Sequence, residues 1–526
     1  MNDVLTPLAV VGGAGSNGEA TVEPAAPKPK STRSTKPSAP KPHPKLARTT
    51  FVTSREMDFF SMKELVTQTG HAVAEWPLVI VKELLDNALD ACEDADIAPV
   101  IEVVADATGI TVTDNGPGLP ESTLKGAMDF TVRASNREAY VSPCRGAQGN
   151  ALKTLLPMPR VLDPEHGKFV VVTGGKRHVI TCGANPVSQR AEIHDDVEDE
   201  LPKSKNRRFS ANGQTMVFSG TEVRLEWSPR ETEYLVKPTP VWPFAGMLPC
   251  SDSFQESFRN LVEGFAVFNP HATITLDWFG TKTTWKATNT SWSKWKPCWP
   301  TSAHWYLQAH LERLIGAYIT HDKDAGADRL VSEFVSEFDG LTGSVKRNKV
   351  LTGAGLKRVH LAELVVNGRL DSERIAKLLA AMREHSRPVK DQTLGVLGKD
   401  HLKARLLEMG IKPESFRCTC KLATKKGKKA APVESGDGLP GVLETAFGYL
   451  GKQAEAERRI FAGANWSAAI KNPFRSFGHT GEGLETVLAN LRATRAEPVV
   501  FVIHLAQPRV QYTDRGKSAL VIGGVA

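Results

Sequence analysis

Two short segments carry the residue types that could bind a nucleotide and activate a water molecule. In the first, Glu83 and Asn87 are four residues apart, so on a helix they lie on one face. In the second, Asp114 follows an alternating apolar run and precedes Gly116 and Gly118, which is typical of a strand that ends in a glycine turn. Two carboxylates, an amide oxygen and an unobstructed backbone together predict a site for a purine nucleotide with its metal ion.

Each of these side chains admits a catalytic role and an ordinary structural alternative. Glu83 would polarise a water for in-line attack on a γ-phosphate, or it would be a surface carboxylate paired with Lys82 or Lys63. The carbonyl oxygen of Asn87 suits Mg²⁺, which takes few protein ligands, or this residue is a surface amide. Asp114 would accept a hydrogen bond from an adenine amino group, or it begins an ordinary turn. The glycines that follow it would keep side chains away from the base.

Two further segments add glycines, a lysine and hydroxyl groups. Residues 145–153 place glycines ahead of a predicted helix start, where exposed N–H groups and the helix dipole favour phosphate. The candidate phosphate ligands in this segment are Gly146, Gln148, Gly149, Asn150 and Lys153. The spacing of a Walker-type P-loop does not occur in the sequence. In residues 219–221 a hydroxyl opens a strand, and Thr221 would bridge through water to the base or to Asp114.

The elements that must position these residues follow from hydrophobic periodicity. Helices are predicted over 55–67, 72–95, 124–132, 151–156, 307–318, 327–338, 374–385, 399–409 and 484–495. Strands are predicted over 100–105, 109–113, 169–173, 178–182, 214–218, 221–225, 442–448 and 499–505. The polar residues 134–150 predict a loop that can move.

Composition narrows the class of protein. A chain of 526 residues has room for two to four domains. We expect no transmembrane span, because there is no run of about 18 apolar residues, and no signal peptide, because the N-terminus lacks a basic region. Seven scattered cysteines indicate free thiols and a cytoplasmic protein.

The positive charge is concentrated near the N-terminus. The formal net charge is +7, and residues 24–50 hold five lysines, two arginines and no acidic residue, so the remainder of the chain is neutral. Because residues 1–50 are rich in Pro, Ala, Ser, Thr and Lys, we expect them to be disordered. They would serve as a solubilising linker or contact nucleic acid phosphates non-specifically.

Two other composition features each have alternatives. Residues 285–305 contain five tryptophans beside lysines, which would pack on a domain surface or stack nucleic acid bases. An acidic run over 195–200 and a basic run over 203–208 favour a solvated connector over a binding patch.

The order and spacing of the four segments resemble the ATPase superfamily of gyrase, the ninety-kilodalton heat-shock chaperones, histidine kinases and the MutL mismatch-repair proteins. Within it, the pattern is most similar to the B-type subunits of the type IIB topoisomerases, the topoisomerase VI group. The matching motifs are Glu83-x-x-x-Asn87-Ala-Leu-Asp-Ala, Asp114-Asn-Gly-Pro-Gly, Arg145-Gly-x-x-Gly149 with Lys153, and Gly220-Thr221. Further similar stretches begin at Ala266, Pro388, Pro440, Val499 and Tyr512, so the resemblance covers about residues 51–520.

The resemblance implies an α+β fold with three domains. Residues 51–305 would form a Bergerat (GHKL) α/β sandwich ATPase domain, 306–410 a helical helix–two-turn–helix-like domain, and 411–526 an α/β transducer domain. The sequence stops shortly after Lys517, where the family continues into a long helix that grips its partner, so that helix is absent from these residues.

The resemblance also implies ATP and Mg²⁺ as ligands, with Glu83 as the catalytic base and Lys517 as a switch lysine that reaches the γ-phosphate. It implies an ATP-dependent homodimer that clamps double-stranded DNA and a separate DNA-cleaving A-type partner, with no membrane association. Two alternatives stay open, a DNA-independent ATPase clamp that regulates a partner protein and a scaffold that binds nucleotide without turnover. A histidine kinase fits poorly, because a Pro-rich tail stands where its dimerisation helix would lie.

Overall fold

The architecture is taken from a computed structural model. It describes residues 55–131, 139–146, 151–185, 187–198, 207–209, 215–217, 220–228, 230–231, 240–241, 252–423, 439–451, 457–477, 481–513 and 517–521. The predicted tail over 1–50 lies outside the described residues.

The described helices include both long and very short elements. In chain order they are α1 (Met62–Thr69), α2 (Trp76–Asp94), α3 (Glu121–Met128), α4 (Ala151–Leu155), α5 (Met158–Leu162), α6 (Asp252–Phe268), α7 (Gln308–Asp324), α8 (Val331–Ser336), α9 (Ser344–Ala354), α10 (Ser372–His385), α11 (Lys399–Glu408) and α12 (Leu484–Asn490). Among the described residues, each helix is too short or too polar to cross a bilayer.

The described strands form two main sheets and three strand pairs. In chain order they are β1 (Val100–Asp106), β2 (Gly109–Thr113), β3 (Lys168–Thr173), β4 (Lys176–Asn185), β5 (Arg190–Glu198), β6 (Arg207–Phe209), β7 (Thr215–Val217), β8 (Glu222–Glu226), β9 (Arg230–Glu231), β10 (Pro240–Val241), β11 (Thr273–Trp278), β12 (Thr281–Trp285), β13 (Val365–Val366), β14 (Arg369–Leu370), β15 (Arg417–Leu422), β16 (Val442–Tyr449), β17 (Arg459–Ala464), β18 (Ser467–Ala468) and β19 (Val499–Ala506).

The first sheet has eight strands in the order β12-β11-β1-β2-β8-β3-β4-β5. Its strands pair antiparallel except for β1 and β11, which are parallel. The apolar sides of α2 and α6 share one core with this sheet, because burying those side chains removes a large apolar area from water. The predicted α+β sandwich is confirmed, and α2 is the helix that carries Glu83 and Asn87.

The second sheet has the order β15-β16-β19-β17-β18. Strands β17 and β19 are parallel, and β16 pairs antiparallel with β19 over its whole length. The strands predicted over 442–448 and 499–505 are therefore confirmed. One face of this sheet joins the core formed by α2 and α6, and the other face packs on α12.

In the part of the chain between β12 and β15, helices α7 to α10 surround a separate apolar core. Trp305, Tyr306, Phe334 and Phe338 are fully buried in it. Helix α11 instead places Leu402 and Leu406 in the core shared by the sheets. The predicted domain boundaries at 305/306 and 410/411 stay predictions.

Most of the tryptophans over 285–305 pack into the protein interior, deeper than the domain surface that the first alternative predicted. Trp285, Trp295 and Trp305 are buried, and only Trp299 is well exposed, at 40%. Indole rings that are already packed against one another have little surface left for stacking bases.

The acidic run and the last predicted helix are among the sequence predictions that differ from the structure. The acidic residues Asp195, Asp196 and Glu198 belong to β5 rather than to a connector. This edge strand tolerates charge because most of its side chains face solvent, and Asp195 pairs with His178 of β4 at 2.9 Å. The helix predicted to reach residue 495 ends at Asn490, because Arg492 adopts a left-handed φ of 61°.

The predicted helix over 55–67 divides into two parts. It begins as a 3₁₀ turn over Arg55–Phe60, and the extended Ser61 separates that turn from α1. The predicted helix over 72–95 likewise begins as a 3₁₀ turn, Val73–Glu75, before α2. The six described cysteines are free thiols.

The contact between α6 and the β17–β18 hairpin gives a test of this packing. A Cβ atom at Gly463 would lie 2.5 Å from the Phe268 ring and 2.6 Å from the carbonyl oxygen of Ser467. We expect Gly463→Ala to lower the free energy of unfolding by about 1–3 kcal/mol through overpacking, measured by urea denaturation.

Gly183 in β4 is the matched control, because a Cβ there would meet its nearest atom at 3.8 Å. Gly183→Ala should change the unfolding free energy by no more than about 0.5 kcal/mol. Equal effects of the two substitutions would contradict the close packing of α6 on the hairpin.

Candidate functional site

Helix α2 presents Glu83 and Asn87 to an open cleft of about 1850 Å³. The apolar residues of α2 are buried on its other sides, whereas the Glu83 side chain keeps 25% of its exposure and Asn87 is exposed. The four-residue spacing therefore places a carboxylate and an amide on one accessible face, as the sequence predicted.

The cleft brings together residues from distant parts of the chain. Of the predicted site residues, those that line it are Glu83, Asn87, Asp114, Gly118, Gly146, Lys153, Thr221 and Lys517. Gly116 is not among the lining residues. Gln148, Gly149 and Asn150 lie outside the described residues, so their predicted roles stay predictions.

Asp114 is buried at the end of β2 and held by backbone groups on two sides. Its Oδ1 accepts hydrogen bonds from the N–H groups of Gly116 at 2.8 Å and Thr221 at 3.2 Å. Its own N–H donates to the carbonyl oxygen of Thr221 at 2.9 Å. These bonds fix the orientation of the carboxylate, which suits a group that must recognise a base by a directed hydrogen bond.

Glycine is required where the segment Gly220-Thr221 packs against the turn that begins at Asp114. A Cβ atom at Gly220 would lie 1.8 Å from the carbonyl oxygen of Asp114, and one at Gly116 would lie 2.9 Å from its Oδ1. No side chain fits between these backbones. The motif glycines therefore permit the close approach of Asp114 and Thr221.

Two lysines determine the charge state of Glu83. Lys82 lies with Nζ 3.5 Å from Glu83 Oε1, so the pairing that the sequence offered as an alternative does occur. Burial raises the pKa of Glu83, but the ammonium groups of Lys82 and Lys517 outweigh burial and hold that pKa below its ordinary value. Glu83 is therefore ionised at neutral pH and able to accept a proton.

Lys153 and Lys517 both line the cleft, and they come from different parts of the chain. Lys153 lies on α4 and donates to the carbonyl oxygen of Asp129, and burial lowers the pKa of Lys153. Lys517 follows the second sheet, adopts a left-handed φ of 55° and donates to the carbonyl oxygen of Arg145 at 3.4 Å. Lys517 thus reaches the start of the segment 145–153 that the sequence predicted to bind phosphate.

Sequence reasoning missed a network of buried charges behind the cleft. Arg145 has a fully buried side chain and donates to Asp90 at 2.6 Å, to both carboxylate oxygens of Glu93 at 2.6 Å, and to Asn269. Lys294 lies 2.9 Å from Glu93. The sequence did contain a signal for this network: Asp86, Asp90 and Glu93 are spaced by four and three residues and so share one side of a largely apolar helix. Carboxylates that are buried in this way require cationic partners.

Comparison with known proteins confirms the resemblance predicted from the motifs. No family model matches the chain. It is 24% identical over 462 residues to the B-type subunit of Type 2 DNA topoisomerase 6 from Archaeoglobus fulgidus, covering 84% of this chain and 66% of that protein. The Metallosphaera sedula protein of the same name is 22% identical over 474 residues, covering 84% and 74%.

The chain spans less than two thirds of some of these relatives. Its match to the Methanosarcina acetivorans protein of that name, 25% identical over 207 residues, covers 38% of this chain and 28% of the relative. Among solved structures, the ATPase region of Saccharomyces cerevisiae topoisomerase II is 10% identical with a TM-score of 0.34, covering 84% of this chain and 76% of that chain. The B-subunit of Myxococcus xanthus DNA gyrase is 11% identical with a TM-score of 0.34, covering 88% of both. Similarity this low adds nothing to the description of the fold.

The buried charges behind the cleft predict a specific pH dependence of stability. Burial opposes ionisation of Glu93, but Arg145 and Lys294 hold the pKa of Glu93 well below its ordinary value. Its ionisation therefore contributes stability that is complete above about pH 4.5 and is lost as pH falls towards the folded-state pKa. We expect Glu93→Gln to lower the free energy of unfolding at pH 7 by about 3 kcal/mol, and the difference from wild type to shrink below about pH 4.5.

Urea denaturation across this pH range measures the difference. Glu373→Gln is the control, because Glu373 is an exposed partner of Lys377 and exposed pairs contribute little. A deficit in Glu93→Gln that stayed constant from pH 7 to pH 3 would contradict the buried ion pair.

Proposed function

We propose that this chain is an ATP-binding and ATP-hydrolysing subunit that acts as the B-type subunits of topoisomerase VI do. The observation that carries the proposal is the convergence, in one cleft, of Glu83, Asn87, Asp114, Thr221 and Lys517 from segments far apart in the sequence. The similarity to the curated topoisomerase subunits supports it across most of the chain.

The base would be recognised at the inner end of the cleft. Asp114 accepts the adenine amino group, because its carboxylate is held in a fixed orientation by the backbone of Gly116 and Thr221. Gly118 leaves space beside the base, and the Thr221 hydroxyl bridges to it through water. The cleft suits a purine because the Asp114 carboxylate is an acceptor of fixed orientation for the amino group of the base.

The phosphates would lie between α2 and the two lysines. Gly146 and Lys153 contact the phosphates together with Gln148, Gly149 and Asn150. The carbonyl oxygen of Asn87 would supply a hard ligand to Mg²⁺, an ion that binds through substrate phosphates and few protein groups. The donor set on this face of α2 fits that ion, and the metal would neutralise phosphate charge during transfer.

Hydrolysis would use Glu83 as the general base. Its lowered pKa keeps it ionised, and it accepts a proton from the water that attacks the γ-phosphorus as the bond to the β-phosphate oxygen breaks. Lys517 moves from the Arg145 carbonyl oxygen to the γ-phosphate and distinguishes ATP from ADP.

The biological output would be an ATP-gated clamp in the cytoplasm. Two copies dimerise when the γ-phosphate stabilises the closed state, and hydrolysis reverses this population shift. Double-stranded DNA is held by charge and shape, and a separate A-type partner cleaves it. Stimulation of hydrolysis by DNA distinguishes this function from a DNA-independent clamp that regulates a partner protein.

Substitution of the two α2 residues separates binding from turnover. We expect Glu83→Gln to bind Mg²⁺ and ATP normally but to lower kcat by about a hundredfold or more, because only the base is lost. Asn87→Ala should weaken Mg²⁺-dependent ATP binding. Phosphate release and calorimetric titration measure the two effects.

Matched controls test whether the substitutions act at the site. Glu256→Gln and Asn348→Ala change exposed residues on α6 and α9 and should leave hydrolysis unchanged. Turnover that survives in Glu83→Gln, or a wild type that binds ATP without hydrolysing it, would contradict the proposed role of Glu83.

Solution mass tests the clamp. We expect the 57.2 kDa chain to double its mass in light scattering with a non-hydrolysable ATP analogue and Mg²⁺, because the analogue keeps the γ-phosphate that favours closure. ADP should leave the mass unchanged, and Asn87→Ala should remain at one mass in all conditions. A mass that is independent of nucleotide would overturn ATP-gated dimerisation.

A further inference from the structure

Asp86, one turn away from Glu83 and Asp90 on α2, connects the cleft to the second sheet. It is 4% exposed. Its Oδ2 accepts hydrogen bonds from Lys82 Nζ at 2.8 Å and from Ser467 Oγ at 2.8 Å. One carboxylate oxygen therefore joins the lysine beside Glu83 to a residue of β18.

Lys82 is shared unequally between two carboxylates. Its buried ammonium lies 2.8 Å from Asp86 and 3.5 Å from Glu83. If the Lys82 ammonium moved from Asp86 towards Glu83, the Lys82–Glu83 ion pair would become stronger. The ammonium would then compete with water for the carboxylate of Glu83. The position of Asp86 thus determines how available Glu83 is as a base.

The hairpin that carries Ser467 is held firmly. Asn465 and Trp466 at its turn adopt left-handed φ values of 48° and 63°. The backbone N–H of Trp466 donates to Nε2 of the fully buried His504 at 3.0 Å. The side-chain amide of Asn269 donates to the backbone carbonyl oxygen of Trp466 at 3.0 Å. Asn465 also donates to the carbonyl oxygen of Cys144 at 3.2 Å. Ser467 therefore meets Asp86 from a fixed point.

We propose that Ser467 is a positioning residue for ATP hydrolysis, which holds Asp86 so that Lys82 stays on Asp86 and leaves Glu83 available to the attacking water. This inference rests on the proposed ATPase function. The β17–β18 hairpin then takes part in hydrolysis. A movement of the second sheet changes how available the Glu83 carboxylate is to water, through Asp86 as well as through Lys517.

Removal and replacement of the hydroxyl test the proposal. Ser467→Ala should lower kcat about tenfold, the effect of losing one hydrogen bond to a charged group, with KM and the dissociation constant for the non-hydrolysable analogue unchanged. Ser467→Thr retains the hydroxyl and should restore kcat to within about twofold of wild type. Ser386→Ala removes another buried hydroxyl, bonded to the carbonyl oxygen of Met382, and should leave kcat unchanged.

The readouts separate positioning from the other roles that Ser467 can have. Because Ser467 also lines the cleft, weaker binding of the analogue in parallel with lower kcat would mean direct contact with nucleotide and would overturn the proposal. A loss of kcat that Ser467→Thr fails to restore would also overturn it.

A double-mutant cycle gives an independent test. In an Asp86→Asn background Ser467→Ala should cause no further loss of kcat, because both changes act through one contact. Additive losses would overturn the proposal, and the Ser467→Ala and Ser467→Thr pair decides it if Asp86→Asn does not fold. A wild type without ATPase activity would overturn the proposed function as well, whereas an active wild type with an equally active Ser467→Ala would overturn only the positioning role.

Discussion

The arrangement of the candidate site depends on the buried ion pairs that the Arg145 guanidinium forms with α2. This guanidinium joins Asp90 and Glu93 of α2 to Asn269, and the carbonyl oxygen of Arg145 accepts a hydrogen bond from Lys517. A buried ion pair adds little net stability compared with apolar packing, but separating its members leaves an uncompensated charge in a poorly solvated interior. The network therefore favours a single arrangement of α2 relative to the segment that begins at Arg145.

The same helix connects the two sheets. One side of α2 buries its apolar residues against the first sheet and α6, and Asp86 contacts Ser467 of the second sheet. Glu83 lies three residues before Asp86 on this helix, and Lys517, which follows the second sheet, acts on its charge. If Glu83 is the base, as proposed, a relative movement of the two sheets would alter its surroundings, which is a physical requirement for coupling hydrolysis to a conformational change.

Among the confirmed local predictions are elements in which a strong period coincides with burial. The spacing of α2 and the alternation of β16 and β19 follow directly from their apolar faces. Strand β5 was missed because an edge strand with mostly exposed side chains needs no apolar alternation. The end of α12 was misplaced because the left-handed φ of Arg492 has no signal in residue type.

The sequence by itself determined the composition of the site, because the spacing of Glu83 and Asn87 and the glycines beside Asp114 are local properties of a helix and a turn. Only the tertiary structure decided which groups surround them. Ser467 meets Asp86 across 381 residues and Lys517 meets Arg145 across 372, and contacts between such distant residues leave no periodicity to read. The sharing of Lys82 between two carboxylates likewise depends on distances of 2.8 and 3.5 Å, which packing sets and residue spacing does not.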